Sequence, residues 1–327
     1  MRQRQLGNDG LVTSALGMGC MGLSQGYGPP DDDESVRTIR RAAELGVTMF
    51  DTAMSYGQGH NERLIGRALA GLPWQVQVAT KFGIVRDGGG VHLDGRPEHV
   101  RGYCEASLAR LGVEVIDLYY LHRVDPQVPI ADTIGAMAGL VAEGKVRHLG
   151  VSEVTPDQLE QAATVHAISA VQFEWSLLWR DPEDDIGAAA RRLGVGIVPY
   201  SPLGRGLLTA TLTRENVADS DLRRTDPRFQ GADLDQNLTH VSALHGIAGD
   251  LGLTAGQLAL AWLLAQGRDV VPIPGSRHLG RIEQNAAAAG VTLTEDDLRG
   301  IEHAAPRAAW AGDRRSFAAP ATTRRGF

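Results

Sequence analysis

Short apolar runs alternate with helix-like stretches along nearly the whole chain, and this alternation constrains the fold more than any other feature. "GVTMFDTA" precedes "NERLIGRALAG", "QVQVATKFG" precedes "PEHVRGYCEASLARLG", "VIDLYYLHR" precedes "IADTIGAMAGLVAEG", and "VRHLGVSE" precedes "PDQLEQAATVH". "AVQFEWSL", "GIVPYSPLGRG" and "DVVPIPGS" continue the series, which ends in the helix-like "RIEQNAAAAG". The spacing predicts eight strands, near residues 14–18, 47–50, 76–80, 116–121, 147–151, 169–173, 196–200 and 270–273. Each is short and apolar on both faces, as a strand covered by helices must be. Strand–helix alternation favours parallel pairing, and eight repeats favour a closed (β/α)8 barrel over an open doubly wound sheet. Asn8-Asp9-Gly10 marks the turn of a β-hairpin ahead of the first strand. No Pro-, Gly- or Ser-rich linker divides the chain, so residues 1–327 are expected to form a single-domain α/β barrel, with a C-terminal tail over 303–327 lying on the surface.

Composition narrows the function classes. With 43% apolar and 22% charged residues the chain can bury a large core. A net charge of −7 argues against a nucleic-acid surface, which needs clustered basic residues. Cys20 and Cys104 form neither a metal-ligand pair nor a disulfide framework, and His60, His92 and His99 lack partners at ligand spacing, so no metal is expected. The N-terminal stretch has no apolar signal core, and no run approaches the roughly 18 apolar residues of a membrane span. The expectation is a cytoplasmic protein acting on a small molecule, with no nucleic-acid or membrane partner; homo-oligomerisation is left open.

"GMGCMG", residues 17–22, fits the G-x-G-x-x-G pattern of a dinucleotide-binding turn. That pattern works only where a helix starts at its third glycine, so that helical N–H groups face the phosphates. Here the helix signal begins at Asp31 to Asp33, beyond Pro29 and Pro30, so the stretch reads as the exit of the first strand.

In a barrel of this kind the active site gathers at the C-terminal ends of the strands. Those ends carry Asp51 with Tyr56 shortly after, Lys81, His122 with Arg123, Ser152-Glu153, Gln172, Tyr200-Ser201 and Gly275-Ser276-Arg277. To exchange protons at neutral pH, a tyrosine must be lowered from about 10 by roughly 4 kcal/mol of differential stabilisation. A neighbouring ammonium, held by an aspartate, supplies that shift, and a histidine alongside orients a carbonyl. Singly each residue has an ordinary alternative: a turn aspartate, a solvated lysine, a packing tyrosine, a core histidine. Together at one barrel mouth they suit protonation of a developing oxyanion.

The motifs "FDTAMSYG", "ATKFG", "DLYYLHR", "GKVRHLGVSE", "VQFEWS", "YSPLGRGLL" and "IPGSRHLGRIEQN" resemble, in order, those of the aldo-keto reductase family. The resemblance implies a (β/α)8 barrel that uses NADPH/NADP+ to reduce aldehydes or ketones. It implies Tyr56 as proton donor, Lys81 and Asp51 as the residues that tune it, and His122 as the residue that orients the carbonyl. For the cofactor it implies Gly19, Cys20, Met21 and Asp51 near the nicotinamide ribose and diphosphate, Ser152 and Gln172 on the carboxamide, and Tyr200 under the ring. Ser201, Pro202, Leu203, Gly204, Arg205 and Gly206 would hold the pyrophosphate. Gly275, Ser276, Arg277 and Arg281 would cradle a 2′-phosphate, with Gln284 and Asn285 on the adenine; paired guanidinium forks suit a phosphate. Glu153 departs from the asparagine that many members carry and is left outside this set. Two other readings stay open: a Schiff-base enzyme acting through Lys81, and a non-catalytic NADP-binding subunit.

Overall fold

The computed structural model describes residues 1–73, 75–88, 90–212 and 221–314. The chain opens with the predicted hairpin, β1 (Gln3–Leu6) and β2 (Leu11–Ser14), in which Leu6 pairs with Leu11. The repeating units then run β3 (Met18–Gly19), α1 (Asp32–Glu44), β4 (Met49–Asp51), α2 (His60–Leu69) and β5 (Gln77–Phe82). A second hairpin, β6 (Ile84–Asp87) and β7 (Gly90–Leu93), interrupts the series. It resumes with α3 (Pro97–Leu111), β8 (Ile116–Leu121), α4 (Ile130–Ala142), β9 (Val146–Ser152), α5 (Pro156–Val165), β10 (Ala170–Glu174), α6 (Ile186–Leu193) and β11 (Gly196–Tyr200). Four helices complete it: α7 (Gly231–Asp250), α8 (Ala255–Ala265), α9 (Leu279–Ala287) and α10 (Glu295–Ala304). Helix starts follow local chemistry: Asp31 accepts from the Glu34 N–H at 2.9 Å, and Asp32, Asp33 and Glu34 fill the first turn of α1.

Seven strands pair in parallel in the order β3-β4-β5-β8-β9-β10-β11. The sheet closes through residues 269–274. On one side the N–H groups of Val271 and Ile273 donate to Ile197 and Pro199 of β11, at 2.8 and 3.0 Å, and Ile197 donates to Asp269 at 2.8 Å. On the other side the carbonyls of Pro272 and Pro274 accept from Gly17 and Gly19, at 3.0 and 3.2 Å. The prolines lack N–H groups and fall where only a carbonyl is needed, so this eighth element joins both edges without forming a regular ladder. The result is the (β/α)8 barrel that the alternation predicted.

Period-two alternation within the strands builds the site. Met49, Ala79, Leu118, Ala170, Val198 and Val271 fill the barrel interior, and Leu6 and Leu11 of the first hairpin join the same cluster. Two residues further along their strands come Asp51, Lys81, Tyr120, Gln172 and Tyr200. Phe50, Phe82, Tyr119, Leu121, Val171 and Ile197 face outward and pack under the helices. Gly150 sits where Tyr120 crosses the interior; a Cβ there would lie 2.4 Å from the Tyr120 ring.

The structure corrects three expectations. The first strand, expected near 14–18, is the shorter β3 at Met18–Gly19, with Ser14 ending β2, and α10 lies beyond the "RIEQNAAAAG" with which the helical series was expected to end. Thr294 and Asp297 form a capping box at the start of α10. The tail does not simply cover the surface: Trp310 is buried, Ala311 exchanges hydrogen bonds with Asn237 of α7, and Arg314 is sunk into the barrel mouth. The rest of the tail, 315–327, lies outside the described residues. Among the described residues no single helix is long and apolar enough to cross a membrane.

Candidate active site

The strand ends surround a cavity of about 580 Å³ at the C-terminal mouth of the barrel. Asp51 at the end of β4 and Lys81 in β5 form a buried ion pair at its floor, and the Lys81 ammonium also donates to the Thr52 carbonyl at 2.7 Å. The other Asp51 oxygen accepts from the Gln172 amide at 2.9 Å. Burial pushes the Asp51 carboxyl up and the Lys81 ammonium down, while their mutual attraction keeps them paired. The Lys81 Nζ lies 5.2 Å from the centre of the Tyr56 ring, whose edge meets the His122 imidazole at 5.8 Å between centroids.

Burial, reinforced by the Asp51 charge, pushes the Tyr56 phenol up. This overturns the expectation that Lys81 lowers it: the ammonium is already neutralised by Asp51, so the phenol meets a balanced pair in an apolar setting. Burial first, then Arg123, Lys81 and Arg86, hold His122 well below its ordinary value. At neutral pH the site therefore presents a protonated phenol beside a neutral imidazole, and both line the cavity.

The remaining expected residues divide by position. Gly19 and Met21 line the cavity, whereas the Cys20 side chain is fully buried and faces the core. Ser152, Gln172 and Tyr200 stand at the ends of β9, β10 and β11 and line it. In the loop after β11, Ser201, Pro202, Leu203, Arg205 and Gly206 line it and Gly204 is buried behind them. Ser201, Gly204, Arg205 and Gly206 all have left-handed backbone, with φ between 50° and 94°. Gly275, Ser276, Arg277, Arg281, Gln284 and Asn285 form a further wall. Arg277 is partly engaged there, donating to the carbonyls of Tyr27 and Pro29 and so pinning the β3–α1 loop over the cavity. The Asn285 amide nitrogen is buried without a partner. Trp175, Trp179 and Trp310 are buried packing residues that do not line the cavity.

Sequence reasoning missed a buried ionic cluster at the rim. Glu153, in left-handed backbone at φ 55°, accepts from the Tyr200 hydroxyl at 2.9 Å and from Arg314 through both carboxylate oxygens. Arg314, the surrounding charges and the Glu174 N–H lower the Glu153 carboxyl to about 2. Glu174 accepts from Arg228 at 2.6 Å, and Arg228 forks onto Asp226 at 2.7 and 3.0 Å. Arg205 approaches Glu174 and Asp226 at 3.6 and 3.7 Å. Only Glu153 carried a signal in the sequence, as the acid where an amide was expected. Arg228 and Arg314 lie in stretches with no periodicity to mark them.

The sequence model described as "Aldo/keto reductase family" matches residues 15–306. The chain belongs to this family. This aldo/keto reductase is 47% identical over 313 residues to the Glycine max protein named Probable aldo-keto reductase 1, covering 95% of this chain and 90% of that one. Its fold matches a glycerol dehydrogenase of Gluconobacter oxydans at TM-score 0.87, with 32% identity, over 97% of this chain and 99% of the other. It also matches a Klebsiella pneumoniae aldo-keto reductase solved in complex with NADPH at TM-score 0.71, with 26% identity, over 94% and 96% of the two chains.

Proposed function

We propose that this aldo/keto reductase binds NADPH in the mouth cavity and reduces aldehydes or ketones to alcohols. The observation that carries the reading is the convergence of Asp51, Lys81, Tyr56 and His122 at one end of a cavity lined further along by a left-handed glycine loop and arginines. The cavity suits the cofactor. Arg277 and Arg281 line it with no carboxylate in ion-pair range among the described residues, Arg205 and Arg223 line it while paired with acids behind them, and the unpartnered Asn285 amide awaits an acceptor. Gly19 and Met21 would meet the ribose side, Ser152 and Gln172 the carboxamide, Tyr200 the ring, 201–206 the pyrophosphate, and Ser276, Arg277 and Arg281 the 2′-phosphate. The NADPH complex of the Klebsiella relative supports the choice of cofactor.

When bound, NADPH supplies the hydride. Tyr56 donates its proton to the carbonyl oxygen, and the neutral His122 holds that oxygen by a hydrogen bond. Lys81, fixed by Asp51 and the Thr52 carbonyl, stabilises the phenolate left on Tyr56 until a proton returns. A Schiff-base role for Lys81 is disfavoured, because its ammonium is fully buried and already held by two acceptors. A purely regulatory role is disfavoured by the intact proton-donating cluster.

The test is carbonyl-dependent NADPH oxidation across a panel of aldehydes and ketones. Tyr56→Phe is expected to lower kcat by roughly 10²- to 10⁴-fold while NADPH fluorescence still reports binding. Loss of binding together with turnover, or unchanged turnover, counts against the reading.

A further inference from the structure

We propose that the carbonyl substrate carries a carboxylate, which Arg123 receives, so that the natural substrate is a short oxo acid or semialdehyde. This inference rests on the carbonyl reduction proposed above and names its substrate class.

Arg123 follows His122 directly, lines the cavity and is only 7% exposed. One terminal nitrogen donates to the His122 carbonyl at 2.6 Å and to the Ser152 hydroxyl at 3.2 Å, which orients the guanidinium; its Nε is buried without a partner. No carboxylate lies within ion-pair distance of it among the described residues, and in this it differs from its neighbours. Arg205, Arg228 and Arg314 are matched around the same mouth by Glu153, Glu174 and Asp226. Among the four buried arginines of the described residues three are offset by three acids, and Arg123 is the one with no carboxylate in ion-pair range, although its charge is felt at Glu153. A nearly buried cation without a counter-ion is costly unless an anion arrives with a ligand.

Two observations locate that anion at the reacting end of the cavity. Arg123 adjoins His122, so an anion on its fork sits a few bonds from a carbonyl held by His122 and Tyr56. Arg86 of β6 is exposed and lines the same cavity, adding a second positive charge that presses on His122. The cofactor's phosphates are assigned to the loop after β11 and to residues 276–281 at the start of α9, on other elements, and its carboxamide is neutral, so neither balances Arg123. A guanidinium fork matches a carboxylate with two parallel hydrogen bonds.

The experiment compares substrates that differ only by the carboxylate: 4-oxobutanoate against propanal, and 3-carboxybenzaldehyde against benzaldehyde. For at least one pair the wild type is expected to favour the acid by about tenfold or more in kcat/KM, mainly through KM. Arg123→Gln should bring that ratio close to one while NADPH affinity, read by fluorescence, changes little. Arg86→Ala on the exposed hairpin should lower the same ratio in part, which keeps the test decisive if Arg123→Gln folds poorly. Equal turnover of acid and neutral partner overturns the inference and leaves carbonyl reduction standing. The inference also falls if the ratio survives in both variants, or if Arg123→Gln acts on NADPH affinity instead. Turnover of neither partner in the presence of bound NADPH overturns the reduction itself and the inference with it.

Discussion

At the scale of single residues, the protonation states at the cavity floor set direction and pH dependence. Tyr56 is pushed up by burial and by Asp51, so it keeps its proton through neutral pH and is a ready donor but a poor acceptor. Reduction is therefore expected to hold steady between about pH 6 and about pH 9, while alcohol oxidation with NADP⁺ rises over the same range; steady-state rates in both directions check this. Lys81→Met would leave Asp51 buried and unpaired, an expected loss of about 3–5 kcal/mol in denaturant unfolding. Double replacement with Asp51→Leu should recover much of that stability without recovering activity. The four residues were legible in the sequence because each ends a recognisable strand or closely follows one. The sign of the Tyr56 shift was not, because it depends on how completely Asp51 neutralises Lys81 and how much water the closed barrel excludes.

At the scale of elements, the strand register carries the site and glycine permits it. Gly150 of β9 faces the barrel interior, where an added Cβ would lie 2.4 Å from the Tyr120 ring. Gly150→Ala is expected to cost about 1–3 kcal/mol by overpacking, and Tyr120→Leu in the same chain should restore part of it; thermal melts of the three variants decide. The strands and most helices were legible because apolar period, acidic first turns and terminal glycines agree locally. Helix α10 was not, since its apolar face is sparse and its clearest mark is the Thr294–Asp297 box. The second hairpin, β6–β7, has no place in the strand–helix series, and it brings Ile84 and Arg86 to the cavity.

At the scale of the whole molecule, charges distant in sequence meet at the mouth. Arg314 joins the end of the described chain to Glu153 and, at 3.9 Å, to Glu174, and also lies over the Trp179 ring. Glu153 is held at about 2 against an ordinary 4.5, so the unfolded chain takes up that proton first. The stabilisation it brings is present above pH 4.5 and is lost as pH falls from 4.5 toward 2, on the order of 3 kcal/mol. Wild type should therefore melt above Glu153→Gln at pH 7, with the gap closing toward pH 3. A gap independent of pH would show that the carboxylate charge contributes little.

The sequence by itself determined the barrel, the positions of its six middle strands and the residues at their ends, because period-two burial and helix signals are local properties of short segments. It also placed "GMGCMG" correctly as a strand exit: α1 starts only at Asp32, and residues 21–23 make a single 3₁₀ turn. Only the tertiary structure decided which charges are satisfied. The match of Arg205, Arg228 and Arg314 to Glu153, Glu174 and Asp226 joins strand ends, a long loop and the tail, and it leaves Arg123 as the buried arginine with no carboxylate in ion-pair range among the described residues. Ion pairing acts through space across segments whose spacing along the chain records nothing of that meeting, and so does the desolvation that shifts Tyr56 and His122.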